Sequence, residues 1–329
     1  MFGVSRLALY SANPVSGGSL VTGGITYFMG GFKSGATSTV RKYNMTTGAS
    51  SAGTSMPSGA ALGQSWGSGV NGWQVGGYVS SDLTVVRRMA FSTDTWTSLT
   101  SLAAAQRNGR GTSSSTTGYS WGGYRAVVNL SSNNQWTYST DAYTAGTALS
   151  WSTTPSNWGA CHGTGTTALF LGGGADGAGG TTKRHYLIYT FSSDTQSYSA
   201  TGASYGHALA GATGNNTDLV VLGGYRSSAD PTSYTVRGTT ITRYVVSTAA
   251  LVNDGGTIGT AYSHGDAAGN DEVGIFAGSN NDEARSAREN AYTYATDTAT
   301  LLSAYLANAQ VFTVDNHESP QAFHSLQIS

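Results

Sequence analysis

Residues 119–140 read YSWGGYRAVVNLSSNNQWTYST. A short apolar run ends in Gly122 and Gly123, a polar turn follows, and a second run ends in an aromatic-Ser-Thr phrase. Glycine inside a strand pattern marks a bulge or the close approach of another backbone. The unit recurs along the chain: Gly pairs stand at Gly30 and Gly31, Gly76 and Gly77, Gly122 and Gly123, Gly172 and Gly173, and Gly223 and Gly224, with Ala277 and Gly278 as a degenerate sixth copy. Successive copies are 46, 46, 50, 51 and 54 residues apart. An unbroken period of this size predicts one repeat array and not two ordinary domains.

A period of about 50 residues with a strand running into Gly-Gly is that of a kelch-type propeller blade. The expected fold is therefore all-β: a kelch-like β-propeller of six four-stranded blades, closed by N- and C-terminal strands. Residues 1–329 form a single domain, with repeats at 15–57, 58–103, 104–155, 156–203, 204–254 and 255–305, and with 306–329 as a closure or contact segment. A second anchor, FSTDT at 91–95, returns at 138–141, 191–195 and 294–298, and more weakly at 43–47 and 244–248. Asp, Ser and Thr side chains accept hydrogen bonds from backbone N–H groups one or two residues on, so this phrase predicts a tight turn between antiparallel strands and not a catalytic carboxylate. Runs of small residues at 58–65, 110–117, 159–167 and 206–213 are the expected innermost strands, because side chains crowd at the axis of a radial array.

Composition narrows the function classes. Only 10% of residues are charged and 11% are aromatic, which favours a packed body over a disordered chain. Sixteen Lys plus Arg against 17 Asp plus Glu leave a net charge of −1, so nucleic acid is not an expected partner. The lone cysteine, Cys161, has no intrachain disulfide partner and reads as a small buried thiol. The N-terminal stretch lacks the charged lead and apolar core of a signal peptide, and no segment approaches 18 apolar residues, so neither export by that route nor membrane insertion is expected.

Chemistry-bearing constellations are sparse. The six histidines fall into no HExxH pattern, and the densest acidic group, His264, Asp266, Asp271 and Glu272, matches no named metal spacing, so no catalytic residue, metal or cofactor is assigned. The Gly-rich segment 171–180 has neither the Lys nor the following helix of a phosphate loop. Trp73 and Trp121, beside Gly pairs, read as blade core, whereas Trp136 and Trp158 are less tied to the repeat and are candidates for stacking on a glycan.

Recognition is expected on loops. The connection after the Gly pair lengthens in the later repeats, to 174–183, 225–237 and 279–290, and equivalent loops of a repeat array share one face. The candidate ligand-binding residues there are Tyr225, Arg226, Asp230, Tyr234, Arg237, Asn280, Asn281, Asp282, Arg285 and Arg288, with Tyr225 and Tyr234 as stacking platforms.

Segments 205–225, YGHALAGATGNNTDLVVLGGY, and 89–99, MAFSTDTWTSL, resemble the kelch-like repeats of tail-fibre and virion proteins of tailed bacteriophages, and the resemblance runs from about residue 18 to 305. It implies a non-enzymatic virion component, a tail fibre or accessory surface protein assembled in the host cytoplasm and displayed on the particle. Its expected partners are other virion proteins and a host cell-surface glycan or protein. A homo-oligomer is compatible with this, with the irregular C-terminal segment as its contact. Two alternatives share the fold: a carbohydrate-active or oxidative enzyme, distinguished by glycan turnover or bound copper, and a kelch adaptor that grips a partner protein.

Overall fold

Each blade consists of four antiparallel strands in the computed structural model, which describes residues 25–302 with gaps, the longest at 31–35, 150–158, 174–180, 200–205, 228–231, 246–249, 253–265 and 281–284, and then residues 324–326. Blade 2 shows the plan: Gln64–Gly67, Asn71–Val75, Val86–Ala90 and Thr95–Ser98 lie side by side from the axis outward. Blade 3 repeats it with Arg110–Ser113, Thr117–Trp121, Asn133–Thr137 and Ala142–Ala145, and blade 4 with Ala160–Gly163, Thr167–Leu171, Tyr186–Thr190 and Thr195–Ser199. Blade 5 comprises Gly211–Gly214, Asp218–Leu222, Ile241–Val245 and Ala250–Val252, and blade 6 Asp266–Gly269, Val273–Asn280, Arg285–Thr293 and Thr298–Leu302. No helix occurs among the described residues.

Blade 1 is assembled from both ends of the described chain. Its outer three strands are Ile25–Met29, Val40–Asn44 and Ala49–Ala52, while the innermost strand is the C-terminal His324–Leu326, with Phe28 opposite Ser325. That strand lies next to the inner strands of blades 2 and 6, so the six innermost strands form a closed ring. Residues 1–24, where the N-terminal closing strand is expected, lie outside the described residues.

The core sits between blades. In Val86–Ala90, residues 86, 88 and 90 point to one face of the sheet and 87 and 89 to the other, as the two-residue repeat of a strand requires. Met89 packs with Tyr27 and Met29 of blade 1, and Val86 joins Trp66, Trp73 and Val75 in a cluster completed by Trp136 of blade 3. The same rule places Tyr189 of blade 4 against Tyr119 and Trp121 of blade 3, and Tyr292 of blade 6 against Val220 and Ile241 of blade 5. Trp73 and Trp121 are core, as their places beside the Gly pairs predict.

The repeated Asp does more than make a turn. Asp94, Asp141, Asp194 and Asp297 each occupy the left-handed region, with φ of 54°, 50°, 50° and 53°, immediately before the outer strand of their blades. From there each carboxylate reaches the central residue of the third strand in the preceding blade. Asp94 pairs with Lys42 at 2.9 Å, Asp141 with Arg88, Asp194 accepts from Gln135 at 3.3 Å, and Asp297 lies 3.8 Å from Arg243. The two remaining blades have Gly48 and Ala249 before the outer strand, and the positions that would face them carry Ala291 and Ile188. Cation or amide and carboxylate therefore occur together or not at all, six times around the ring.

The Gly pairs have a steric and a conformational cause. Gly76 and Gly77 have φ of +62° and +112°, and a Cβ on Gly76 would overlap the carbonyl oxygen of Gln106 in the crossover entering blade 3. Gly77 donates its N–H to that same carbonyl at 2.8 Å. Only glycine combines these angles with that approach. The degenerate copy behaves differently: at Ala277 and Gly278 the strand runs on through a bulge into a long hairpin. The small-residue run at 206–213 also divides, since Gly206–Ala208 joins a separate sheet and Gly211–Gly214 forms the inner strand.

Candidate functional site: the Gly-pair face

Antiparallel order places the Gly pairs, the loops that follow them and the blade-to-blade crossovers at one end of every blade, and the tight Asp turns at the other. The disc therefore has a plain face of short turns and a Gly-pair face that carries all the long connections.

In blades 4 to 6 those connections build a second layer. Tyr225–Ser227 pairs with Gly206–Ala208 on one side and Val236–Arg237 on the other, so Tyr225 stands opposite both Ala208 and Arg237. Thr181–Thr182, from the loop of blade 4, pairs with Thr232–Ser233 from the loop of blade 5. In blade 6, Asn280 and Arg285 face each other at the end of the extended hairpin, with Arg288 further down its return strand. The backbone thus gathers Tyr225, Arg226 and Arg237 in one small sheet, and Asn280, Arg285 and Arg288 on one hairpin. Asp230, Tyr234, Asn281, Asp282 and Trp158 lie outside the described residues.

Trp136 is corrected by the structure. It is 2% exposed, its ring lies 5.1 Å from that of Trp66, and it completes the core between blades 2 and 3, so it offers no face to a sugar. The even positions of its strand point at the preceding blade, and position 136 is one of them.

The axis is too narrow for a ligand. Gly111 takes the place where any Cβ would overlap the Ser65 carbonyl, so the inner strands of blades 2 and 3 meet backbone to backbone. The cavity among the inner strands measures about 50 Å³ and is lined by Gln64, Trp66, Arg110, Cys161 and His162 among small residues. That is room for a few waters. Burial pushes the Cys161 thiol up, with Arg110 and a hydrogen bond to Thr112 pulling the other way, so the thiolate form is disfavoured there. Among the described residues no group of three or more His, Cys, Asp or Glu is placed to hold a metal ion. Of the acidic group considered from the sequence, His264 and Asp271 lie outside the described residues.

A larger cavity was not legible in the sequence. On the Gly-pair face, between the crossover from blade 2 and the body of blade 3, a groove of about 350 Å³ is lined by Leu102, Gln106, Arg125, Ser132, Asn134 and Tyr143 together with several alanines. These residues come from four separated stretches with no shared motif. The one signal was Tyr143 itself, an aromatic residue on an otherwise small and polar outer strand, AYTA.

Fold and face together define the class: a six-bladed, all-β propeller whose long loops are concentrated on one face. Among solved structures, the one titled "Structure of YjhT" matches with a TM-score of 0.65 at 12% sequence identity, covering 89% of this chain and 100% of that chain. At that identity the match establishes the shared fold. No protein-family model matches the chain, and no curated protein is significantly similar to it in sequence.

Proposed function

We propose that the chain is a non-enzymatic bacteriophage virion component, a tail fibre or accessory surface protein, that presents its Gly-pair face to a host-surface glycan. The phage assignment rests on the kelch-like segments at 89–99 and 205–225 that resemble tail-fibre and virion repeats. The observation that carries the recognition role is the second layer of structure, in which the loops of blades 4 and 5 are hydrogen-bonded to one another, beside the extended hairpin of blade 6. Loops needed only to connect strands are short, as the Asp turns are; loops that pair across blades have their backbones fixed relative to one another. The Tyr and Asn residues of these loops are types suited to stacking on a sugar and hydrogen-bonding its hydroxyls, and their Arg residues are of a type that donates to hydroxyl or acidic groups.

Two measurements test this. Mass spectrometry of purified particles from cells that carry the gene should find the chain in the virion. Shortening residues 226–236 and 280–289 to the length of the blade 1 connection, with folding checked by thermal melting, should abolish host-cell binding. Undiminished binding by a folded shortened variant, absence from the particle, or saturable glycan cleavage would each overturn the reading.

A further inference from the structure

Outer-strand position two has a structural task in the blades on either side of blade 3. In blade 2 the residue is Trp96, whose indole N–H donates to the Thr54 carbonyl at 2.9 Å, and in blade 4 it is Gln196, whose amide donates to the Ala148 carbonyl at 2.7 Å. Each ties its blade to the crossover leaving the preceding one. In blade 3 the equivalent residue is Tyr143, and it is used otherwise: its hydroxyl donates to Asn134 Oδ1 of its own blade at 2.8 Å. The ring is left 36% exposed beside the groove of about 350 Å³.

We propose that this groove is a saccharide subsite, with Tyr143 as the stacking platform for one sugar ring and the amides of Asn134 and Gln106 as donors to its hydroxyls. The proposal rests on the glycan-recognition reading given above and locates a site for it on blade 3, across the face from the long loops. Three features of the groove suit a sugar. First, the ring is preorganised. It is held at its hydroxyl by Asn134 and backed by Trp136 at 5.3 Å, so little rotamer freedom is lost when a ligand stacks. Second, donors remain. The Asn134 amide gives one N–H to Gln106 Oε1 at 3.2 Å, and the Gln106 amide gives one to Ser120 Oγ at 2.7 Å, which leaves a second N–H on each. The Ser132 hydroxyl is buried in the wall with no hydrogen-bond partner among the described residues, an arrangement that costs free energy until something polar arrives. Third, the lining carries Arg125 and no carboxylate, so a neutral or an acidic sugar is admitted, and the cavity lies at the small end of the ~300–1,000 Å³ range of small-molecule sites.

The experiment uses the purified full chain, a glycan array, and saturation-transfer NMR with methyl glycosides of the array's hits. Tyr143→Ala should weaken binding roughly tenfold, and Tyr143→Phe, which keeps the ring but frees it from Asn134, should weaken it less. Ala145→Trp, which fills the groove from its open side and leaves Tyr143 untouched, should abolish the transfer signal and decides the matter if Tyr143→Ala does not fold. Wild-type binding that none of these substitutions changes would overturn the groove and leave the glycan reading standing. A wild-type chain that binds no saccharide would overturn both.

Discussion

Asp194 accepts hydrogen bonds from the Thr147 backbone N–H at 3.0 Å, the Thr147 hydroxyl at 2.6 Å, Gln135 Nε2 at 3.3 Å and the Tyr189 hydroxyl. Burial alone would raise its pKa; the bonds from Thr147, Tyr189 and Gln135 outweigh that and hold the carboxyl below its ordinary value. Asp141, in contrast, has its ion pair with Arg88 and one buried oxygen without a partner among the described residues. The difference has a simple source: Tyr189 and Tyr292 donate to the aspartates of their own blades, whereas Met89 and Trp136 occupy that strand position in blades 2 and 3. Asp194→Ala should therefore cost about 2–4 kcal/mol in urea unfolding at pH 7, Asp194→Asn about half of that, and Asp141→Ala about 1–2 kcal/mol, both alanines carrying the same left-handed backbone cost. Because the folded pKa is depressed, the Asp194 contribution is present above the ordinary carboxylate value of about 4 and is lost as pH falls through the folded value. The gap between wild type and Asp194→Asn should accordingly close in acid; a gap that is constant from pH 7 to pH 3 would show that the charge of Asp194 contributes nothing. The turn role of these aspartates was legible locally, from Ser-Thr-Asp-Thr. Their pairing with the preceding blade was not, since Lys42 and Asp94 are 52 residues apart and only an alignment of the six repeats brings them together.

At the scale of strands and their connections, the Gly pair separates conformational from steric cost. Gly48 and Gly76 have nearly the same φ, +67° and +62°, and a Cβ on Gly76 would in addition overlap the next crossover. Gly48→Ala should cost about 1–2 kcal/mol, for the left-handed angle alone. Gly76→Ala should cost about 2 kcal/mol more and slow or prevent the docking of blade 3, read as a lower thermal midpoint; equal costs at the two positions would mean that the crossover yields freely. Strand positions were legible because apolar runs end in glycine at a recurring interval, and the run that enters Gly30 and Gly31 is the strand Ile25–Met29. Trp136 was not legible as core because its neighbours in sequence, Asn133, Asn134 and Gln135, are polar. Those amides are themselves buried or half-buried between blades, Asn133 bonding Trp121 and Tyr189 and Asn134 bonding Gln106. A polar strand inside an interface between sheets does not show the alternation by which an interior is recognised in sequence.

For the whole molecule, the question is what keeps a ring of six nearly independent blades from opening. Each blade buries its faces against two neighbours, so a break anywhere exposes two apolar faces at once, and the seam falls in blade 1, where chain continuity is lost. There the C-terminal strand supplies the inner position, pairing Tyr27, Phe28 and Met29 with Leu326, Ser325 and His324, and lying between the inner strands of blades 2 and 6. Within the out-of-period segment 306–329, the described stretch His324–Leu326 completes the blade of another repeat. Removing residues 303–329 should therefore leave Ile25–Met29 with an open edge at the axis and lower the thermal midpoint on the order of 10 °C or more, with Ser325→Pro, which interrupts the three-residue ladder, lying between the truncated and intact chains. A synthetic peptide of residues 318–329 added to the truncated chain should restore part of the loss in a concentration-dependent way, because it binds the folded ring and not the unfolded chain. If truncation left the midpoint unchanged, closure would reside in the other contacts between blades 1 and 6, and the C-terminal strand would be a decoration of the ring and not its clasp.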